Sequence, residues 1–154
     1  NYLELKNMHF VSRPKVMINT PYRDVWFVPR RGNYMARLIE DAGAEYIFHE
    51  KAGSSSVPIS MEEALERASR CDYWINVGQY TSYAKFCEDM PLFRNLNVVR
   101  QRRVYNNNRI RTANGGSAFW EKGVMEPDLI LKDLITIFHP EISNKELKYY
   151  ICLQ

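Results

Sequence analysis

Within ten positions, Tyr22, Trp26, Phe27, Arg30 and Arg31 bring together large aromatic rings and guanidinium groups. Such a set can grip a bulky, partly anionic ligand or a protein partner: the rings supply apolar burial and arginine supplies directed charge. A structural reading of the same residues stands beside this one. Trp26 and Phe27 can serve as a staple under a helix start, with Arg30 and Arg31 merely solvated. A second basic cluster, Arg100, Arg102, Arg103, Arg109 and Arg111, falls within twelve positions and reads either as a solvated face or as a nucleic-acid contact. The net charge of +3 is too mild for the whole-molecule field to favour nucleic acid or membrane.

Other reactive residue types are scattered. His9, His49 and His139 stand near no Cys or carboxylate at ligand spacing, and Cys71, Cys87 and Cys152 contain no CxxC, so neither zinc nor a disulfide framework is signalled. There is no GxGxxG after the first apolar run, no phosphate-binding Walker loop and no GxSxG. The motifs therefore point away from an enzyme and from a resident cofactor. A small α/β enzyme domain with an unrecognised site at the strand ends is the rival reading.

The elements that position these residues can be read from periodicity. Residues 1–12 place Tyr2, Leu5 and Met8 or His9 at helical spacing and read as the end of a helix, stopped by Pro14. Strands are expected at Lys15–Asn19, Glu45–Phe48 and Tyr73–Val77, with two more at Val98-Val99 and Val104-Tyr105. Met35, Leu38, Ile39 and Ala42 form one helix face, which Gly43 ends. Ser60-Met61-Glu62-Glu63 matches a capping box at the start of the next helix, and a short helix is expected around Tyr83–Asp89. Pro127 opens a last helix that buries Leu129, Ile130, Leu134, Ile137 and Phe138. Residues 20–33, 49–59 and 106–119 read as loops, and the apolar tail is expected to pack back on the domain. Alternating strands and helices make this a doubly wound, mostly parallel sheet of about five strands with helices on both faces. In such a fold, ligands bind beyond the carboxyl ends of the strands, where the loop carrying Tyr22–Arg31 lies.

Three stretches, taken in order, carry a family resemblance: VMINTPYRDVWFVPRRGNYMARLIEDAGAEYIF, VPISMEEALERASRCDYWINVG and RVYNNNRI…NGGSAFWEKGVMEPDLILKDLITIFHPE. Together they resemble the periplasmic substrate-binding proteins of iron-siderophore, haem and vitamin B12 ABC importers. The resemblance covers nearly all of this chain but only the second half of the family. It implies that residues 1–12 end the helix bridging two lobes, that residues 13–154 form the carboxyl-terminal lobe, and that the amino-terminal lobe is absent. The chain begins at Asn1 rather than Met, which fits a processed or excised product.

The resemblance implies ligand-facing residues on the loop after the first strand, Tyr22, Trp26, Phe27 and Arg30, and on a second loop, Asn114, Phe119 and Trp120. It implies that Glu62 docks on arginines of the membrane permease, while Glu63 serves the helix itself. Arg30, with Arg109 or Arg111, would pair with carboxylates or catecholates of a metal chelate. The metal arrives already coordinated, so no protein ligand to it is expected. Ser54–Ser56 stands where B12-binding relatives can present a large aromatic, a departure that weighs against cobalamin. The expected partners are the chelate (iron-siderophore, haem or cobalamin), the permease and the missing lobe, with no nucleic acid. The expected location is the periplasm, free or lipid-anchored.

Overall fold

The computed structural model describes residues 1–111 and 117–154. A short helix, α1 (Tyr2–Lys6), begins at a capping box in which the Asn1 side chain accepts from the Glu4 N–H. It ends at Asn7, earlier than the expected limit of residue 12, because the following residues turn to pack elsewhere. Phe10 stacks on His139 with centroids 4.4 Å apart. Strand β1 (Lys15–Ile18) leads to β2 (Trp26–Pro29) and then to α2 (Tyr34–Asp41), capped by the Asn33 side chain. Next come β3 (Glu45–Tyr46), β4 (Ser56–Ile59), α3 (Met61–Ala68) and β5 (Tyr73–Ile75). Helices α4 (Tyr83–Asp89) and α5 (Asn97–Arg100) precede β6 (Val104–Asn106). A 3-10 turn at Gly123–Met125, helix α6 (Pro127–Phe138) and strand β7 (Ile151–Cys152) complete the order.

The main sheet runs β3-β1-β5-β6-β7, parallel except for the edge pairing of β6 with β7. Each face carries its own ring cluster because successive side chains of β5 point to opposite sides. Tyr73 meets Phe138 of α6, at 5.5 Å, while Trp74 meets Phe86 of α4 and Phe93, at 5.1 and 5.5 Å. Helices thus cover both faces, as the alternating pattern requires. Gly43 holds a φ of +81° after α2, where a Cβ would overlap the Phe10 ring, and the His139 Nε2–H donates to its carbonyl at 2.9 Å.

Two expectations are corrected. Val98-Val99 lies in helix α5 and not in a strand. Both valines are buried, and a two-residue apolar run has the same appearance in either conformation. The stretches expected as loops around residues 26 and 57 are instead an antiparallel ribbon, with Trp26 opposite Ile59 and Val28 opposite Val57.

The tail does pack back. Asp133, buried on α6, accepts from the backbone N–H groups of Lys148, Tyr149 and Tyr150 at 2.7–3.0 Å, which carries the chain into β7.

Candidate functional site

The connection from β1 runs to β3 on one side, whereas β5 lies on the other, so the strand order reverses between β1 and β5. A crevice is expected outside the carboxyl ends of two such strands. One is present: a cleft of about 690 Å³ lies between the segment that leaves β1 (Asn19–Phe27) and the one that leaves β5 (Asn76–Asp89). Its volume is in the range of small-molecule sites.

Asparagines shape its floor. Asn19 and Asn76 directly follow β1 and β5 with φ of 68° and 57°, a left-handed turn that Asn tolerates better than most residues. Asn19 Nδ2 donates to the Phe27 carbonyl at 3.0 Å, tying the cleft's two near walls together. The buried Asn106 accepts from Val77 N–H through Oδ1 and donates through Nδ2 to the carbonyls of Gly78 and Tyr80, at 3.0 and 2.7 Å. Asn108 adds a further bond to Tyr80 O. Gly78 has a φ of +66°, and a Cβ there would lie 2.8 Å from Thr20 Oγ1 on the opposite segment. The two segments therefore approach closely enough that only glycine fits.

At the rim, Tyr22 and Val25 exchange backbone hydrogen bonds across a two-residue turn, with Arg23 and Asp24 both at positive φ. This is the geometry of a tight hairpin turn, made without glycine. The Arg23 guanidinium stands 5.3 Å from the Tyr22 ring centroid. On the far wall, Tyr80 donates to Asp89 at 2.9 Å and Lys85 pairs with the same carboxylate at 3.2 Å. Burial, and then the bond to Asp89, push the Tyr80 hydroxyl up to about 12, while bonds from Tyr80 and Lys85 hold the Asp89 carboxyl low. Among the described residues, Lys85 and Asp89 are the only charged ones lining the cleft, and they neutralise each other.

The site residues expected from sequence divide sharply. Tyr22, 67% exposed, and Phe27, 49% exposed, both line the cleft. Trp26 does not: it is 2% exposed, its indole N–H points to Ile18 O at 3.4 Å, and its ring stacks on Trp74. The reason is the period of β2, which sends Trp26 and Val28 inward and Phe27 outward. Phe119 is likewise a core residue, packed edge-on against Tyr150 and Trp120. Trp120 remains exposed but does not line the cleft. Arg30 turns away, donating to Ala52 O at 3.3 Å with its stem against Gly53. Asn114 lies outside the described residues.

Of the other arginines, Arg109 pairs with Glu146 at 2.7 Å, and Arg102 and Arg103 lie over the rings of Tyr83 and Tyr73. Sequence reasoning missed Asn19, Asn76, Tyr80 and Asn106. The only signal was the Asn and Gly around the ends of the apolar runs, where Asn19 and Asn76 read as strand residues and Asn106 as part of a loop.

Glu62 sits exposed in the first turn of α3 and makes no ion pair among the described residues, whereas Glu63 binds Lys51 and Arg67 at 3.1 and 3.2 Å. Ser60 Oγ accepts from Glu63 N–H at 3.0 Å, so the hydroxyl half of the expected capping box is present.

The sequence profile described as "periplasmic binding protein" matches residues 11–108, which include both segments that build the cleft. The chain belongs to the periplasmic binding protein family. Among relatives of this family member, an uncharacterised lipoprotein of Methanocaldococcus jannaschii is 29% identical over 131 residues, covering 83% of this chain and 30% of the lipoprotein. Among solved structures, the TroA-like periplasmic binding protein FepB from Veillonella parvula superposes with a TM-score of 0.65 at 15% identity, covering 99% of this chain and 52% of that one. CeuE from Helicobacter pylori, solved as a nickel–histidine complex, gives 0.63 at 14% identity, covering 91% and 41%. The chain thus spans about half or less of the proteins it matches. The family and the fold neighbours are solute-binding proteins, not enzymes.

Proposed function

We propose that this chain is the carboxyl-terminal lobe of the substrate-capture component of an ABC importer. In this reading it holds a metal chelate, of the iron-siderophore, haem or cobalamin kind, against a missing amino-terminal lobe and delivers it to the membrane permease. The observation that carries the reading is the cleft at the strand-order reversal, with Tyr22 and Phe27 exposed on its wall. Such a wall suits capture, because apolar rings can bury a ligand face. Residues 1–12 serve as the end of the bridging segment. Glu62, exposed and unpaired among the described residues, is free to meet cationic groups of the permease. The protein works in the periplasm or tethered beside a membrane, in keeping with the lipoprotein relative.

One wall of a two-walled site gives up much of the burial a ligand needs. If the other lobe supplies about half the contact, several kcal/mol are lost, and affinity falls about a thousandfold. The test titrates this chain beside a version extended at its amino end by the other lobe, using haem, cobalamin and ferric hydroxamate and catecholate complexes. The expected result is tight binding of one of them by the longer protein and weak binding by this chain. Equally tight binding by both would place the whole site within this chain and end the two-lobe reading.

A further inference from the structure

Asn76 is 6% exposed, and its Oδ1 is occupied by the Tyr150 hydroxyl, which donates at 2.8 Å from the buried core. No described residue accepts from its Nδ2. Yet among the described residues no side-chain nitrogen or oxygen is both sealed from solvent and unpartnered, so this amide N–H keeps an opening. Asn76 lines the cleft, and the cleft is where that opening leads. A nearly buried amide is thus held by its oxygen, while its nitrogen, on a residue that lines the cleft, has no acceptor among the described residues. Tyr150 is fixed in turn by its backbone bond to Asp133, so the orientation is set from the core.

We propose that Asn76 Nδ2 is the specificity-determining hydrogen-bond donor of the cleft, and that the ligand is a neutral or weakly charged complex presenting a carbonyl-type oxygen to it, as a hydroxamate chelate does. This rests on the solute-capture reading above. The charge follows from the lining. Among the described lining residues the formal charges are those of Lys85 and Asp89, which cancel, and Arg30 and Arg109 are engaged elsewhere. A trianionic tris-catecholate complex would meet no net positive charge among the described residues lining this wall, which a partly desolvated site disfavours. A neutral complex would instead set an apolar edge on Tyr22 and Phe27 and an oxygen on Asn76. A ligand lacking that acceptor would leave a buried donor unmade, the situation that gives polar sites their discrimination.

The experiment uses two diamagnetic probes, neutral gallium(III) tris(acetohydroxamate) and trianionic gallium(III) tris(catecholate), with ¹H–¹⁵N and aromatic NMR spectra of this chain. The neutral probe is expected to shift the Asn76 side-chain amide pair together with the Tyr22 and Phe27 ring signals, and to bind at least tenfold more tightly than the trianion. Asn76→Asp keeps an acceptor for Tyr150 and the tolerance for left-handed backbone, and should weaken the neutral probe at least tenfold. The amide shift in the unaltered protein decides the point even if that variant folds poorly. Ring shifts from the neutral probe with a stationary Asn76 amide overturn this inference and leave solute capture standing, as does tighter binding of the trianion. Failure of both probes to move the Tyr22 and Phe27 signals overturns this inference, while solute capture is decided by the titration of the longer protein.

Discussion

Removing the carboxylate of Asp133 should detach the tail from the sheet. In Asp133→Ala, three backbone N–H groups lose their acceptor at once: those of Lys148, Tyr149 and Tyr150. The bonds to Tyr149 and Tyr150 are buried, and the one to Lys148 is partly so. An unmade buried donor costs about 1–3 kcal/mol, so the two buried groups and the partly buried one sum to about 4 kcal/mol once water reaches the outer one. For a chain of this size, about 2–4 °C of melting temperature is lost per kcal/mol, which gives a fall of about 8–16 °C. The assay is thermal and urea unfolding, with amide hydrogen exchange read at the three residues. Exchange should rise at Tyr149 and Tyr150 before the rest of the sheet opens, since β7 is only the two residues Ile151–Cys152 and depends on this anchor. A loss below about 1 kcal/mol, with both amides still protected, would refute the reasoning, because it would mean that the carboxylate does not hold the tail.

Other substitutions separate neighbouring residues by role. Trp26→Ala should destabilise the fold by about 3–5 kcal/mol, as for a large buried ring, whereas Phe27→Ala should leave the melting temperature nearly unchanged and weaken chelate binding; similar unfolding midpoints for the two variants would contradict the inward–outward alternation of β2. Glu62→Arg should abolish uptake in the intact importer and leave chelate affinity and stability as they were, and normal uptake would remove Glu62 from the docking surface. Glu50 accepts two bonds from Arg67, at 2.9 and 2.6 Å, and this holds its carboxyl at about 2. Its folded-state value is below the unfolded one, so its stabilisation is present above the ordinary carboxylate range and lost as pH falls toward about 2. Glu50→Gln should therefore lower stability at pH 7 by less than about 1 kcal/mol, this being a half-exposed pair, and flatten the acid limb of the unfolding curve; an unchanged acid limb would show the pair contributes nothing.

What the sequence determined by itself was local. Ser60 caps α3, Gly43 takes the left-handed turn after α2, and Pro127 opens α6, each because a single residue type is suited to one backbone position. The alternation of such helices with apolar runs then led to a parallel, doubly wound sheet, and that sheet places a cleft beyond β1 and β5. The tertiary structure decided which face each residue shows. Trp26 and Phe27 are adjacent and equally aromatic, and only the pairing of β2 with β4, about thirty residues away in sequence, sends the indole into the core and the phenyl ring into the cleft. Val98-Val99 became helix for a related reason: a run of two side chains has no period of its own. In the sequence Asn19 and Asn76 read as strand residues and Asn106 as the start of a loop. Their role as a hydrogen-bonded frame arises from partners as distant as Tyr150, 74 residues away along the chain, and local periodicity carries no information about contacts of that span.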